Sequence, residues 1–463
     1  MPSSNGLVVS FSFRLNRANV NHSSTTTSES HHRPIGLISL VCLIVANMIG
    51  AGVYTTSGFA VAALGRPLDV LVVWGIGGAI AIAGAICYGG LARQLVQSGG
   101  EYLFLANGVH PLAGFMAGWI SLLAGFTGAI AYAAVTFTNY VDLPERTHST
   151  NSWIASALVL ACTLIHFFRT ESGAKTQNVM VFIKLLAVLV FVVWGVAVSD
   201  PQKLLARTDP ASNGAAAGVW ATQLMWISFS FAGFNAAIYV AGETTNGERT
   251  VRQSMLWSTI GVTLLYFALN YVFLATAPLP EIVGTPDIAA VSASYVGGAK
   301  MSIAIRAIIA LSLATSVSAM IQAGPRVYAK MAHDGVFPKL LANSHRVPRA
   351  AMLLQAGLAL VLVWFVQLKE ILDYTSFLLS VSSAATVGCL LLPRFRGQPG
   401  QRPVPFWPWL PTCFSTVTLG IAVISCHWQL TKPQADRGIW LGLVVFAAGA
   451  VIYFVSRLRS PGR

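Results

Sequence analysis

The feature that most constrains this chain is a long apolar stretch that recurs twelve times, over residues 35–62, 68–92, 112–137, 153–168, 177–198, 218–241, 255–275, 301–323, 350–366, 371–392, 409–428 and 439–455. A helix needs about 20 apolar residues to cross the hydrocarbon of a bilayer. In that medium the backbone must satisfy its own polar groups, which restricts such stretches to helices. Composition closes the soluble alternative: 55% of the chain is hydrophobic and only 10% charged, where a soluble domain carries about 25% charged residues. The expected fold is therefore an all-α integral membrane protein with twelve transmembrane helices. Residues 1–34, rich in Ser, Thr, Asn and His, are expected to form a disordered cytoplasmic tail. The first apolar stretch is too long for the core of a cleavable signal.

Charge placement sets the orientation. With the N-terminus in the cytoplasm, nineteen of the 29 Lys and Arg fall in inner segments and eight in outer ones, leaving Lys184 and Arg306 inside spans. Positive residues accumulate on the cytoplasmic side of membrane proteins. Both termini are thus expected in the cytoplasm of a multi-pass cell-membrane protein. The net charge of +13 is read as this topology bias; no basic helix or stripe points to nucleic acid. The six cysteines show no metal-ligand spacing and read as small buried hydrophobes. No cofactor or metal is expected. An enzyme would need convergent His, Cys or carboxylate groups at one depth, and the spans offer only scattered His166 and His427.

The chemistry concentrates in the first and sixth stretches. The first contains Ile49-Gly50-Ala51-Gly52, near mid-membrane, and the sixth contains Phe231-Ala232-Gly233-Phe234-Asn235. Glycines at these points are expected to interrupt the helical ladder, and unladdered backbone survives at membrane depth only where it lines a cavity. N–H groups at the start of a half-helix attract a carboxylate, and carbonyls freed at the end of the other half accept from an ammonium. Two such breaks suit a zwitterion. The sixth helix enters from the side opposite the first, so residues 35–198 and 218–392 can form an inverted pair, with residues 393–463 outside the core. Matched breaks in two inverted halves mark transporter sites. Close packing is the competing reading of any membrane glycine, and it is preferred for the second stretch with Gly75, Gly77, Gly78, Gly84, Gly89 and Gly90.

Lys184 lies seven residues into the fifth stretch, about 10 Å deep at 1.5 Å per residue. An intramembrane lysine is a functional candidate; snorkelling to the interface is the alternative. Thr315 and Ser316 in the eighth stretch are candidates to accept from Lys184, unless they bond their own helix. Phe231 and Phe234 are candidate caps, and Arg306 is read as snorkelling.

Four stretches in order resemble the amino acid–polyamine–organocation superfamily, the amino acid permeases. These are Ile49 to Tyr54; Ser98-Gly99-Gly100-Glu101-Tyr102 with Gly114 to Trp119; Phe229 to Asn235 with Glu243-Thr244-Thr245-Asn246; and Arg326 to Pro338, read as the loop after the eighth helix. The resemblance implies a leucine-transporter-like fold of two inverted five-helix repeats with discontinuous helices one and six, and two peripheral C-terminal helices. It implies a carboxylate near Gly50, Ala51 and Gly52 and an amine near Phe231, Ala232 and Gly233. It also implies that Lys184 stands in place of a sodium ion. Gly247 and Arg252 replace prolines usual in the family.

The expected function is secondary active transport of an amino acid or related amine by alternating access, with Lys184 favouring proton symport. A sodium-independent exchanger, or a ligand sensor of the same shape, is the alternative. The substrate side chain and the oligomeric state are not legible, although the few charges near the breaks favour a neutral ligand.

Overall fold

The computed structural model describes residues 35–95, 97, 99–141, 147–168, 174–208, 216–244, 246–335, 337–342, 348–395, 402–432 and 437–458. The 1–34 tail and its expected disorder lie outside the described residues, as do Ser98, Thr245 and Val336 of the motifs above. Among the described residues the chain is helical, apart from loops and a single β-bridge between Ile35 and Thr244.

In chain order the helices are α1 (Leu37–Met48), α2 (Ala51–Leu64), α3 (Pro67–Gln94), α4 (Glu101–Gly108), α5 (Pro111–Ile120), α6 (Ala129–Tyr140), α7 (His148–Phe168), α8 (Ala174–Val198), α9 (Ala217–Ser230), α10 (Gly247–Thr276), α11 (Leu279–Ile282), α12 (Ile288–His333), α13 (Arg349–Phe365), α14 (Leu368–Gly388), α15 (Trp409–Leu430) and α16 (Arg437–Leu458). A π-helical segment, Ser121–Gly128, joins α5 to α6. Among the described residues, ten candidate spans are long and apolar enough to cross a membrane, with α1 and α2 counting as one and α5 to α6 as another. Two shorter helices, α9 with 14 residues and α13 with 17, fall below that length.

Local chemistry explains where these helices begin and end. Gly65 ends α2 in the left-handed conformation at φ +73, and Pro67 opens α3, the two residues best suited to those positions. Pro111 opens α5 likewise, with the His110 ring accepting from the Leu112 amide. A capping box between Gln367 and Glu370 starts α14. Within α12 the backbone turns at Gly297 and at Gly298, where φ is +70, so two helices meet there.

Side-chain exposure is that of a lipid-facing perimeter. Val193 on α8 is 71% exposed and Phe365 on α13 is 82% exposed; exposed apolar patches of this kind mark a non-aqueous or partner environment. Inside, α3 packs closely on α9 and α10 through its glycines. A Cβ at Gly77 would lie 2.7 Å from Ile227, and one at Gly78 would lie 2.3 Å from Thr263. This is the packing role anticipated for that stretch.

Three readings need correction. The segment Arg326 to His333 is helix, the last turns of α12, and not loop. Its charges lower its hydropathy, but Val327, Tyr328, Met331 and Ala332 bury one face. The second half of the sixth apolar stretch does not resume an α-helix; it continues as short 3₁₀ turns, Ala236–Tyr239 and Ala241–Glu243. Arg306 does not snorkel. Its guanidinium pairs with Asp287 at 2.6 Å and donates to the Asn139 carbonyl at 3.1 Å, because the turn at Gly297 and Gly298 folds the two parts of α12 together.

Candidate functional site

The break in the first apolar stretch falls at Ile49 and Gly50. Ile49 caps α1, its amide bonding back to the Val45 carbonyl at 2.9 Å, and Gly50 precedes α2 in extended backbone. The first turn of α2 therefore presents the amides of Ala51 and Gly52 without partners inside the helix. The other break starts at Phe231, which caps α9. Gly233 follows at φ +103, a conformation suited to glycine.

The two breaks touch. A Cβ on Gly52 would lie 2.3 Å from the Ser230 hydroxyl, and one on Gly233 would lie 2.9 Å from the carbonyl carbon of Asn47. Each glycine thus admits the other broken segment to backbone distance. Tyr266 on α10 ties them further: its hydroxyl donates to the Met48 carbonyl at 2.5 Å and to the Ser230 carbonyl at 3.2 Å. These are the last carbonyls before each interruption, where intrahelical partners run out.

Both breaks line one cavity of about 840 Å³. Gly50, Ala51 and Gly52 border it on one side and Phe231, Ala232, Gly233, Phe234 and Asn235 on the other. It extends to the end of the bundle that carries Ile35, Gly36, Glu243 and the exposed side chains of Arg326 and Lys330. At that end the Ile35 amide donates to the Glu243 carbonyl at 2.9 Å. The opposite end is closed. The Tyr140 hydroxyl donates to the Tyr54 carbonyl at 2.7 Å, the Gly284 amide donates to the Gly58 carbonyl at 2.8 Å, and the Asp287–Arg306 pair lies beside them.

Phe231 is buried, its ring 5.8 Å from that of Trp74 and 5.1 Å from that of Tyr266. Phe231 thus packs into the core while also bordering the cavity. The Phe234 ring packs edge-on against Tyr88 at 5.3 Å. Phe229 borders the cavity and packs against Tyr132.

Lys184 is 6% exposed and its ammonium donates to the Ile49 carbonyl at 2.9 Å. The side chain reaches the break and does not run to the interface. Thr315 and Ser316 line a smaller cavity of about 130 Å³ with Lys184 and His166. The Thr315 hydroxyl donates to the Ser312 carbonyl of its own helix at 2.8 Å, and His166 hydrogen-bonds Ser318 at 2.7 Å.

Two residues at the site escaped sequence reasoning. Tyr266 is one of several buried polar residues on α10, with Ser258, Thr259 and Asn270, and nothing in the pattern singles it out. Glu101 belongs to a motif that was noted, but its partners are distant in sequence. They are Asn235, donating at 3.1 Å, Ser382, donating at 2.5 Å, and the Tyr88 hydroxyl.

Comparison with known proteins agrees with this geometry. A family model described as amino acid permease matches residues 35–449. The Asc-type amino acid transporter 1 of Homo sapiens is 24% identical over 436 residues, covering 91% of this chain and 82% of that protein. The cystine/glutamate transporter of Homo sapiens is 24% identical, with 91% and 85% covered. The large neutral amino acids transporter small subunit 2 of Rattus norvegicus is 23% identical over 439 residues, with 91% and 80% covered. These relatives are transporters and not enzymes. By the extent of the family match and the order of its motifs, the chain belongs to the amino acid permeases.

Proposed function

We propose that this permease carries a neutral amino acid across the cell membrane by alternating access, in exchange for another amino acid and without sodium. The observation that carries the reading is that two interrupted helices, α1–α2 and α9 with its sequel, face each other across one cavity closed at a single end. The amides of Ala51 and Gly52, at the positive end of α2, suit the substrate carboxylate. Carbonyls around Phe231, Ala232 and Gly233 suit its amine. Ser228, Ser230 and Phe229 beside the breaks are uncharged, Lys184 and Glu101 are already engaged by protein groups, and Glu243, Arg326 and Lys330 stand at the mouth; this favours a neutral substrate.

The architecture proposed with this function has twelve spans, with α9 and α13 crossing as well. Residues 35–198 and 218–392 form two inverted halves and 393–463 the periphery. With both termini in the cytoplasm by the positive-inside rule, the cavity opens inward.

Lys184 fills a cation's place against the Ile49 carbonyl, with Thr315 and Ser316 beside it, and this supports sodium independence. Exchange is inferred over the proton symport that the sequence favoured. One relative is named for two amino acids, cystine and glutamate, which supports exchange.

Proteoliposomes test this directly. Exchange requires that labelled amino acid uptake depend on unlabelled amino acid inside and be indifferent to sodium. Uptake into empty vesicles driven by a pH gradient would establish proton symport in its place. Binding without flux would make the protein a sensor, and neither binding nor flux for any amino acid or amine would sink the reading. Unchanged flux after Lys184→Ala would remove Lys184 from the mechanism.

A further inference from the structure

Glu101 is a buried carboxylate that the transport reading leaves without a task. It is 7% exposed, borders the cavity and is the first residue of α4. Its donors come from three separate elements: Tyr88 from α3, Asn235 from the segment after the break, and Ser382 from α14. The turn before it is pressed onto that same segment. Gly100 has φ +78, and a Cβ there would lie 2.1 Å from the Tyr239 ring. A buried carboxylate must keep its acceptors filled, so the three donors are held together as long as Glu101 stays in place. A change of access has to move the broken helix against its neighbours, and α3 and α14 are the neighbours that Glu101 joins to it.

We infer that Glu101 is a positioning residue, a latch that fixes the 235–243 segment against α3 and α14 in the cavity-open form and so sets the rate of the access change. The inference rests on the transport reading. Glu101 touches neither the Gly50–Gly52 amides nor the carbonyls around Ala232, so its loss acts on turnover more than on substrate affinity.

The test compares Glu101→Ala and Glu101→Gln with the parent in the exchange assay, and follows hydrogen exchange of residues 236–243 without substrate. In Glu101→Ala the maximal rate falls by about tenfold or more, with KM changed by less than about threefold, the signature of a lost conformational step. Amides of 236–243 exchange faster, because their anchor is gone. Glu101→Gln keeps an acceptor for Tyr88 and Asn235 and restores most of the rate. Should Glu101→Ala not fold, Ser382→Ala and Tyr88→Phe each remove one donor and shift both readouts the same way by a smaller factor. A raised KM at unchanged maximal rate would place Glu101 in substrate contact and overturn the latch; so would parental rate and parental exchange of 236–243. If the parent moves no amino acid, the transport reading fails by itself, and local exchange of 236–243 still decides whether Glu101 anchors that segment.

Discussion

Removing one oxygen atom tests how the two breaks are held. Tyr266→Phe keeps the ring, its edge-on contact with Trp74 at 5.4 Å and its tilted contact with Phe231 at 5.1 Å, so packing is conserved and no cavity forms. It deletes the donor to the carbonyls of Met48 and Ser230. One O–H serves both, so the loss counts as one hydrogen bond; the Met48 carbonyl keeps the Gly50 amide at 2.8 Å, and the Ser230 carbonyl left behind raises the cost to about 1–3 kcal/mol. That range corresponds to roughly a 5–150-fold change in an equilibrium constant. The cost applies to the form in which Met48 and Ser230 lie side by side, which is the form that binds the ligand in the proposed function. Amino acid affinity, read by a thermal shift of the purified protein against a concentration series, should fall within that range, and the ligand-free melting temperature should fall with it. Affinity and melting temperature both at parental values would refute the claim that Tyr266 pre-organises the site. A fall in melting temperature with unchanged affinity would refute the link between the two carbonyls and binding.

Other outcomes follow from the same geometry. Gly233→Ala combines a left-handed conformation, costing about 1–2 kcal/mol, with contact against the Asn47 backbone, costing about 1–3 kcal/mol more. It should lose ligand binding in a thermal-shift assay and lower the melting temperature. Gly52→Val should do the same by pushing Ser230 away, and retained binding would show that the two segments do not need to touch. Lys184→Met removes the donor to the Ile49 carbonyl from a buried site and should weaken amino acid binding, read by thermal shift, by about tenfold, close to 1.4 kcal/mol. Asp287→Ala strips Arg306 of its carboxylate at the closed end, and should destabilise the protein by about 1–3 kcal/mol in thermal unfolding, less if the Asn139 carbonyl compensates.

The apolar segments were legible because a membrane enforces them: each long stretch had to become helix. Their ends were less so. The polar turns Arg326–His333 read as loop because hydropathy averages over a face that Tyr328 and Met331 bury. The continuation past Phe231 read as helix because Ala236, Ala237 and Ile238 are apolar; Gly233 at φ +103 directs the chain into 3₁₀ turns instead. At the site, Gly50, Gly52 and Gly233 could be singled out because a residue without a side chain is conspicuous where backbone must come close. Tyr266 and Glu101 could not be assigned, since their meaning lies in partners brought near only by folding. The nearer acceptor of the Tyr266 hydroxyl is 36 residues away, and the Ser382 partner of Glu101 is 281 residues away. Arg306 was misjudged for the same reason, its partner Asp287 being brought near only by the turn at Gly297 and Gly298.

The hydrogen bond from Ile35 to Glu243 has a consequence for how the molecule tolerates change. It joins the approach to α1 with the 3₁₀ turns beyond Gly233, at the mouth of the cavity, and both of its atoms belong to the main chain. Side-chain substitution at either residue leaves it in place; only a proline at Ile35 would delete the donor. The two inner pieces are thus yoked by a tie written in backbone and not in residue identity. Residues around the mouth can drift to suit different cargo while the pieces that carry them stay in step.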